Sequence, residues 1–184
     1  MNALHSLMLL GHAAHGVEHG FWSGMSHPVT GLDHLLAMVA VGLLAARGAG
    51  RISPALPVAF LAGMSAGGML GLLPLLTEPI ELGIVLSVTF FGLLLLWEPT
   101  GLRRLTPGLI AGFALFHGHA HVLEGPSGSA LWSYAAGFLA GTAALLGAGV
   151  LLGLVLRELP RVRVWGIRLA GAGVVVMSLV FLFE

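Results

Sequence analysis

The chain has 184 residues, 57% hydrophobic and 9% charged, with a mean hydropathy of +0.98 and a formal net charge of zero. That balance excludes an ordinary soluble domain and points to an all-α integral membrane protein. The absence of cysteine excludes disulfides, thiolate metal ligands and cysteine nucleophiles, and the absence of lysine excludes a P-loop of the GxxxxGK[ST] type.

The first 26 residues form a His-rich segment. His5, His12, His15 and His19 are spaced 7, 3 and 4 apart, which places them in a stripe on one helix face with Glu18 beside it. Two readings fit this segment: an arm in which His12, His15, Glu18 and His19 collect metal outside the cytoplasm, or a remnant of a targeting segment.

Residues 27 to 184 read as one transmembrane domain. Breaking it at Pro, Gly and charged clusters leaves six apolar stretches, roughly 29–46, 54–74, 80–97, 106–122, 130–156 and 164–183. Each is near the ~20 residues needed to cross a bilayer as a helix. Pro28 suits the first turn of span 1 and would set Asp33 and His34 one to two turns into it.

The eight arginines orient the bundle. Arg47 and Arg51 follow span 1, Arg103 and Arg104 follow span 3, and Arg157, Arg161, Arg163 and Arg168 surround the turn between spans 5 and 6. All fall on one side, which the positive-inside rule makes cytoplasmic, with both termini outside. Glu18, Asp33, Glu78, Glu81, Glu124 and Glu184 fall on the other side, giving a face that attracts cations. Nucleic acid is not an expected partner, whereas the lipid bilayer is.

Glycines recur at every fourth position, Gly63, Gly67 and Gly71 in span 2 and Gly137 with Gly141 in span 5. That spacing marks close helix packing rather than chemistry. Met38, Met64 and Met69 read as core filling.

The remaining histidines form two groups: His27 and His34 at the start of span 1, and His117, His119 and His121 at the end of span 4. The two spans run in opposite directions, so both groups reach the same outer mouth. His117, His121 and Glu124 share one helix face, and His119 points elsewhere. Asp33 alone fits a role at the helix dipole, and a single intramembrane His fits a hydrogen bond between helices. Two groups converging on one mouth argue for a site.

Imidazole and carboxylate together suit borderline divalent metals, Ni²⁺, Co²⁺, Zn²⁺ and Cu²⁺. Asp33 either binds directly or fixes the tautomer of a ligating His. The same donors would suit a membrane zinc hydrolase acting on a lipid or acyl substrate. No prosthetic group is expected; a homo-oligomer stays open.

The stretch HPVTGLDHLLAMVAVGLLAARG, residues 27–48, resembles the HPxxGxDHxxxMxxVG signature of the HupE/UreJ family, and FHGHAHVLEGP, residues 116–126, resembles its second motif. The resemblance implies a secondary permease of the bacterial inner membrane. It would import Ni²⁺ or Co²⁺ for hydrogenase, urease or cobalamin pathways. Carried onto this chain, the motif residues are His27, Asp33 and His34, then His117, His119, His121 and Glu124.

Overall fold

The computed structural model describes residues 20–48, 51–73, 80–97, 100–126, 128 and 130–181. The proposed metal-collecting residues His12, His15, Glu18 and His19 lie outside the described residues, as does the side chain of Glu124.

The seven α-helices among the described residues are α1 (Gly20–Thr30), α2 (Leu32–Arg47), α3 (Ala55–Gly71), α4 (Ile80–Leu96), α5 (Thr106–Glu124), α6 (Ala130–Arg157) and α7 (Pro160–Phe181). Helices suit these Leu-, Ala- and Gly-rich runs because each closes its own backbone hydrogen bonds, which hydrocarbon requires. α6 and the Val162–Phe181 part of α7 are long and apolar enough to cross a membrane. The bent pair α1 and α2 passes the same test if taken as one span, while α3 and α4 are shorter apolar helices.

The start of span 1 departs from the expected register. Pro28 does not open that helix; it lies inside α1, and the chain turns by 82° between α1 and α2. The break is at Gly31, whose φ of −92° and ψ of 112° are extended. Asp33 and His34 therefore sit in the first turn of α2 rather than one to two turns along it. A proline three residues before a glycine serves as well near a helix end as at a helix start, so local sequence does not separate the two.

The bundle is built from helix pairs: α3 on α5, α2 on α6 and α4 on α7. Small residues set the first of these seams and also the packing of α1 on α6. A Cβ on Gly63 or Gly67 would strike the backbone of Ala111 or Leu115 on α5, and one on Gly71 would lie 3.1 Å from the His119 carbonyl. On α6, Gly137 and Gly141 abut the carbonyls of Phe21 and Met25 in α1. Close backbone approach increases the van der Waals contact on which helix association in lipid depends.

Met38 and Met64 are buried in the core with Val41, Phe60, Val88, Phe91 and Leu95. Met69, expected to fill core, is instead 68% exposed. It lies two positions from Gly67, hence on the face of α3 turned away from α5. Exposed Leu151, Val155, Leu169 and Val176 on α6 and α7 suit an apolar surround.

At the far end of α2 the arginines tie helices together. Arg47 Nη1 donates to the carbonyls of Leu94 and Leu95, at 2.5 and 3.1 Å, and Arg157 Nε donates to the Ala46 carbonyl at 2.6 Å. These carbonyls end α4 and α2, where no intrahelical donor remains. Thirteen residues of helix, about 20 Å, separate this end from His34.

Candidate functional site

Four of the five non-N-terminal histidines come together where α1, α2, α5 and α6 meet. His34 lies with its ring centroid 4.2 Å from that of His121 and 4.7 Å from that of His117, and His27 lies 4.9 Å from His121. The contacts are edge to face, the arrangement that aromatic rings favour. More than eighty residues of sequence separate the contributing motifs.

Their positions follow from local structure. The break at Gly31 aims α1 across the start of α2, which brings His27 against His121, Tyr134 and Phe138. His117 and His121 are one turn apart on α5 and so share its face toward α2. His119, on a different face, is buried but joins none of the ring contacts among the described residues.

Proton counting fixes the chemistry of two of these rings. Asp33 Oδ1 accepts from the His34 backbone N–H at 2.9 Å and lies 2.8 Å from His34 Nδ1. A carboxylate only accepts, so a neutral His34 carries its proton on Nδ1 and its lone pair on Nε2. Nε2 is buried and makes no hydrogen bond among the described residues.

His117, fully buried, obeys the same logic through a different partner. Ser87 Oγ on α4 lies 2.6 Å from the Ile84 carbonyl and 2.6 Å from His117 Nε2. The carbonyl can only accept, so the single hydroxyl proton goes to Ile84 and Ser87 accepts from His117 Nε2–H. The lone pair of His117 is then on Nδ1, also buried and also without a hydrogen bond among the described residues. Burying an unsatisfied polar atom costs about 1–3 kcal/mol, so two such nitrogens in adjacent rings are a costly feature that a bound ligand would relieve.

Each lone pair is thus presented by a second residue that holds the opposite ring nitrogen, the arrangement typical of metal-binding histidines. As the rings stand, however, no three His, Asp or Glu side chains among the described residues are gathered into a coordination shell. Edge-to-face packing spreads the nitrogens, and a shared ion would require the rings to turn toward one another. Phe60, 5.7 Å from His117 by ring centroids, and buried Met38 close the cluster on the side toward the arginines.

Ser87 was not evident from the sequence. It is one serine in an apolar helix, and only the packing of α4 against α5 gives it a histidine partner. Tyr134 and Phe138, which face His27, were equally silent because one aromatic in an apolar helix reads as core.

Comparison with known proteins agrees with the two motifs. The chain is 38% identical over 180 residues to Protein HupE of Rhizobium leguminosarum bv. viciae, an alignment covering 93% of each chain. No solved structure matches. The HupE / UreJ protein family matches residues 1–181, so the chain belongs to the HupE/UreJ family.

Proposed function

We propose that this protein is a secondary permease that takes up a divalent transition-metal ion across the bacterial inner membrane. Ni²⁺ or Co²⁺ is the cargo, for use by hydrogenase, urease or cobalamin pathways; the donors would also accept Zn²⁺ or Cu²⁺. In this reading α2 to α7 are six spans, the histidine end faces the periplasm with both termini, and the arginine end faces the cytoplasm.

The observation that carries the reading is the pair of lone-pair nitrogens, His34 Nε2 and His117 Nδ1. They come from helices of opposite direction and are held in that state by Asp33 and Ser87. His27 and His121 supply further donors at the same place, and Asp33 supplies negative charge. His119 and Glu124 belong to the motif and are further candidate donors.

A cation shedding water at this end would turn the rings inward, bind, and leave as they relax. The family match favours transport over a membrane zinc hydrolase acting on a lipid or acyl substrate. An inside-negative potential of 100 mV contributes about 2.3 kcal/mol per charge and twice that for a divalent ion, so ATP is not required.

The test is uptake of Ni²⁺ and Co²⁺ into proteoliposomes under an inside-negative potential, with His34→Ala as control. Potential-dependent accumulation abolished in the variant is the expected result. Binding without accumulation would reject the permease and turn attention to lipid hydrolysis.

A further inference from the structure

One buried polar side chain lies next to the histidine cluster without belonging to either motif. Thr142 on α6 is fully buried, and its hydroxyl makes no hydrogen bond among the described residues. A helical Ser or Thr can return its proton to a carbonyl of the preceding turn, as Ser65, Ser87, Thr89 and Ser178 all do here. Thr142 does not, and a hydroxyl left over in a dry interior carries a cost that a ligand would relieve.

The neighbouring contacts fix where Thr142 stands. One turn back along α6, Phe138 packs with its ring centroid 4.0 Å from that of His121. One turn on, the Leu146 carbonyl is the atom that a Cβ on Gly42 of α2 would strike, and Gly141, next in sequence, abuts the Met25 carbonyl of α1. α2 and α6 run in the same direction, since Gly42 meets Leu146 and Ala46 meets Gly153. Thr142 therefore lies among α1, α2 and α6, one turn or about 5.4 Å from the Phe138–His121 contact toward the arginine end.

Nothing else polar follows on the helices that hold the cluster. Between His34 and Arg47 on α2, between Thr106 and His117 on α5, and between Phe138 and Arg157 on α6, Thr142 is the only side chain with an oxygen or nitrogen. Thr89 on α4 is already engaged, bonding the Val85 carbonyl and lying 2.9 Å from Ser178 Oγ on α7. Past Thr142 the backbones of α2 and α6 meet, because a Cβ on Gly149 would strike the Val39 carbonyl.

We propose that the Thr142 hydroxyl is the next ligand of the metal ion after the histidines, holding the ion or one of its waters at the start of the α2–α6 seam. The assignment rests on the permease reading and extends it toward the arginine end. An alcohol oxygen suits Ni²⁺ and Co²⁺ less well than imidazole does. A path must bind an ion well enough to admit it and weakly enough to release it, and a weak oxygen donor beyond nitrogen donors supplies the release.

The test compares wild type, Thr142→Val and Thr142→Ser, with Ni²⁺ affinity read by equilibrium dialysis and Ni²⁺ uptake read in proteoliposomes under an inside-negative potential. Valine keeps the shape of threonine and removes the hydroxyl. No hydrogen bond is lost, so the unfolding temperature should not fall, which separates a transport defect from a folding defect. Thr142→Val should bind Ni²⁺ through the histidines as wild type does, yet take it up more slowly by on the order of tenfold, the scale of losing a group around a metal site. The loss should fall on the maximal rate rather than on the half-saturating concentration, and Thr142→Ser should recover it. Uptake by Thr142→Val at the wild-type rate, or a defect that serine does not restore, would overturn the assignment. No accumulation by the wild type would instead reject the permease, and the assignment with it. If Thr142→Val does not fold, Thr142→Ala removes the hydroxyl without crowding the site, and the same outcomes decide.

Discussion

Ser87 Oγ donates a hydrogen bond to the Ile84 carbonyl and, on its other side, accepts one from His117 Nε2–H at 2.6 Å. A serine without any metal-ligand character thereby sets which nitrogen of a buried histidine keeps its lone pair.

Ser87→Ala should weaken Ni²⁺ binding by about 10- to 100-fold, the usual range when a partner of a ligating histidine is removed. It frees the His117 ring to flip or change tautomer. Equilibrium dialysis of purified protein checks this, alongside thermal unfolding to confirm that the bundle survives. Unchanged affinity would show that Ser87 merely fills space.

Asp33→Asn separates charge from shape. Asparagine is also well tolerated near a helix N-terminus, so α2 should keep its start. The amide remains a weak acceptor for His34 Nδ1–H but no longer attracts a cation. Co²⁺ uptake should fall by at least about tenfold, the scale of the second-partner effect, with little change in unfolding temperature. Wild-type uptake would confine Asp33 to a role at the helix dipole.

Gly31→Ala probes the break itself. The backbone there is extended and open to any residue, so glycine is not needed for conformation. It is needed for room: a Cβ would lie 3.0 Å from Asp33 Oδ1 and 3.2 Å from His34 Nδ1. The substitution should push apart the Asp33–His34 pair and lower metal affinity by several-fold or more, within the range seen for disturbed partners of ligating histidines. Calorimetric titration with Ni²⁺ reads the effect, and an unaltered isotherm would mean that the pair tolerates displacement.

Two glycines should respond oppositely to enlargement. Gly67→Val drives a side chain into the Leu115 backbone, parts α3 from α5, and should cost about 1–3 kcal/mol or more. Gly112 on α5 has no neighbour within 4 Å of a built Cβ, so Gly112→Ala should stabilise by about 0.5–1 kcal/mol through helix propensity. Chemical unfolding in detergent distinguishes them. Equal effects would remove the α3–α5 seam as the reason for the Gly63, Gly67 and Gly71 spacing.

The sequence by itself determined the family of the protein and the two motifs whose histidines the fold gathers. Hydropathy marks the apolar helices because burying backbone in lipid leaves few alternatives, and helical periodicity places His117 and His121 on one face and His119 on another. The HPVTGLDH and FHGHAH stretches identify the family without any coordinates. Tertiary structure alone decided the break at Gly31, since a Pro near a Gly is compatible with either the start or the end of a helix. It also decided that Met69 faces outward and that Ser87 meets His117. Each of these depends on which helix lies next to which, and a linear pattern records a residue's own face but never the neighbour that face will meet.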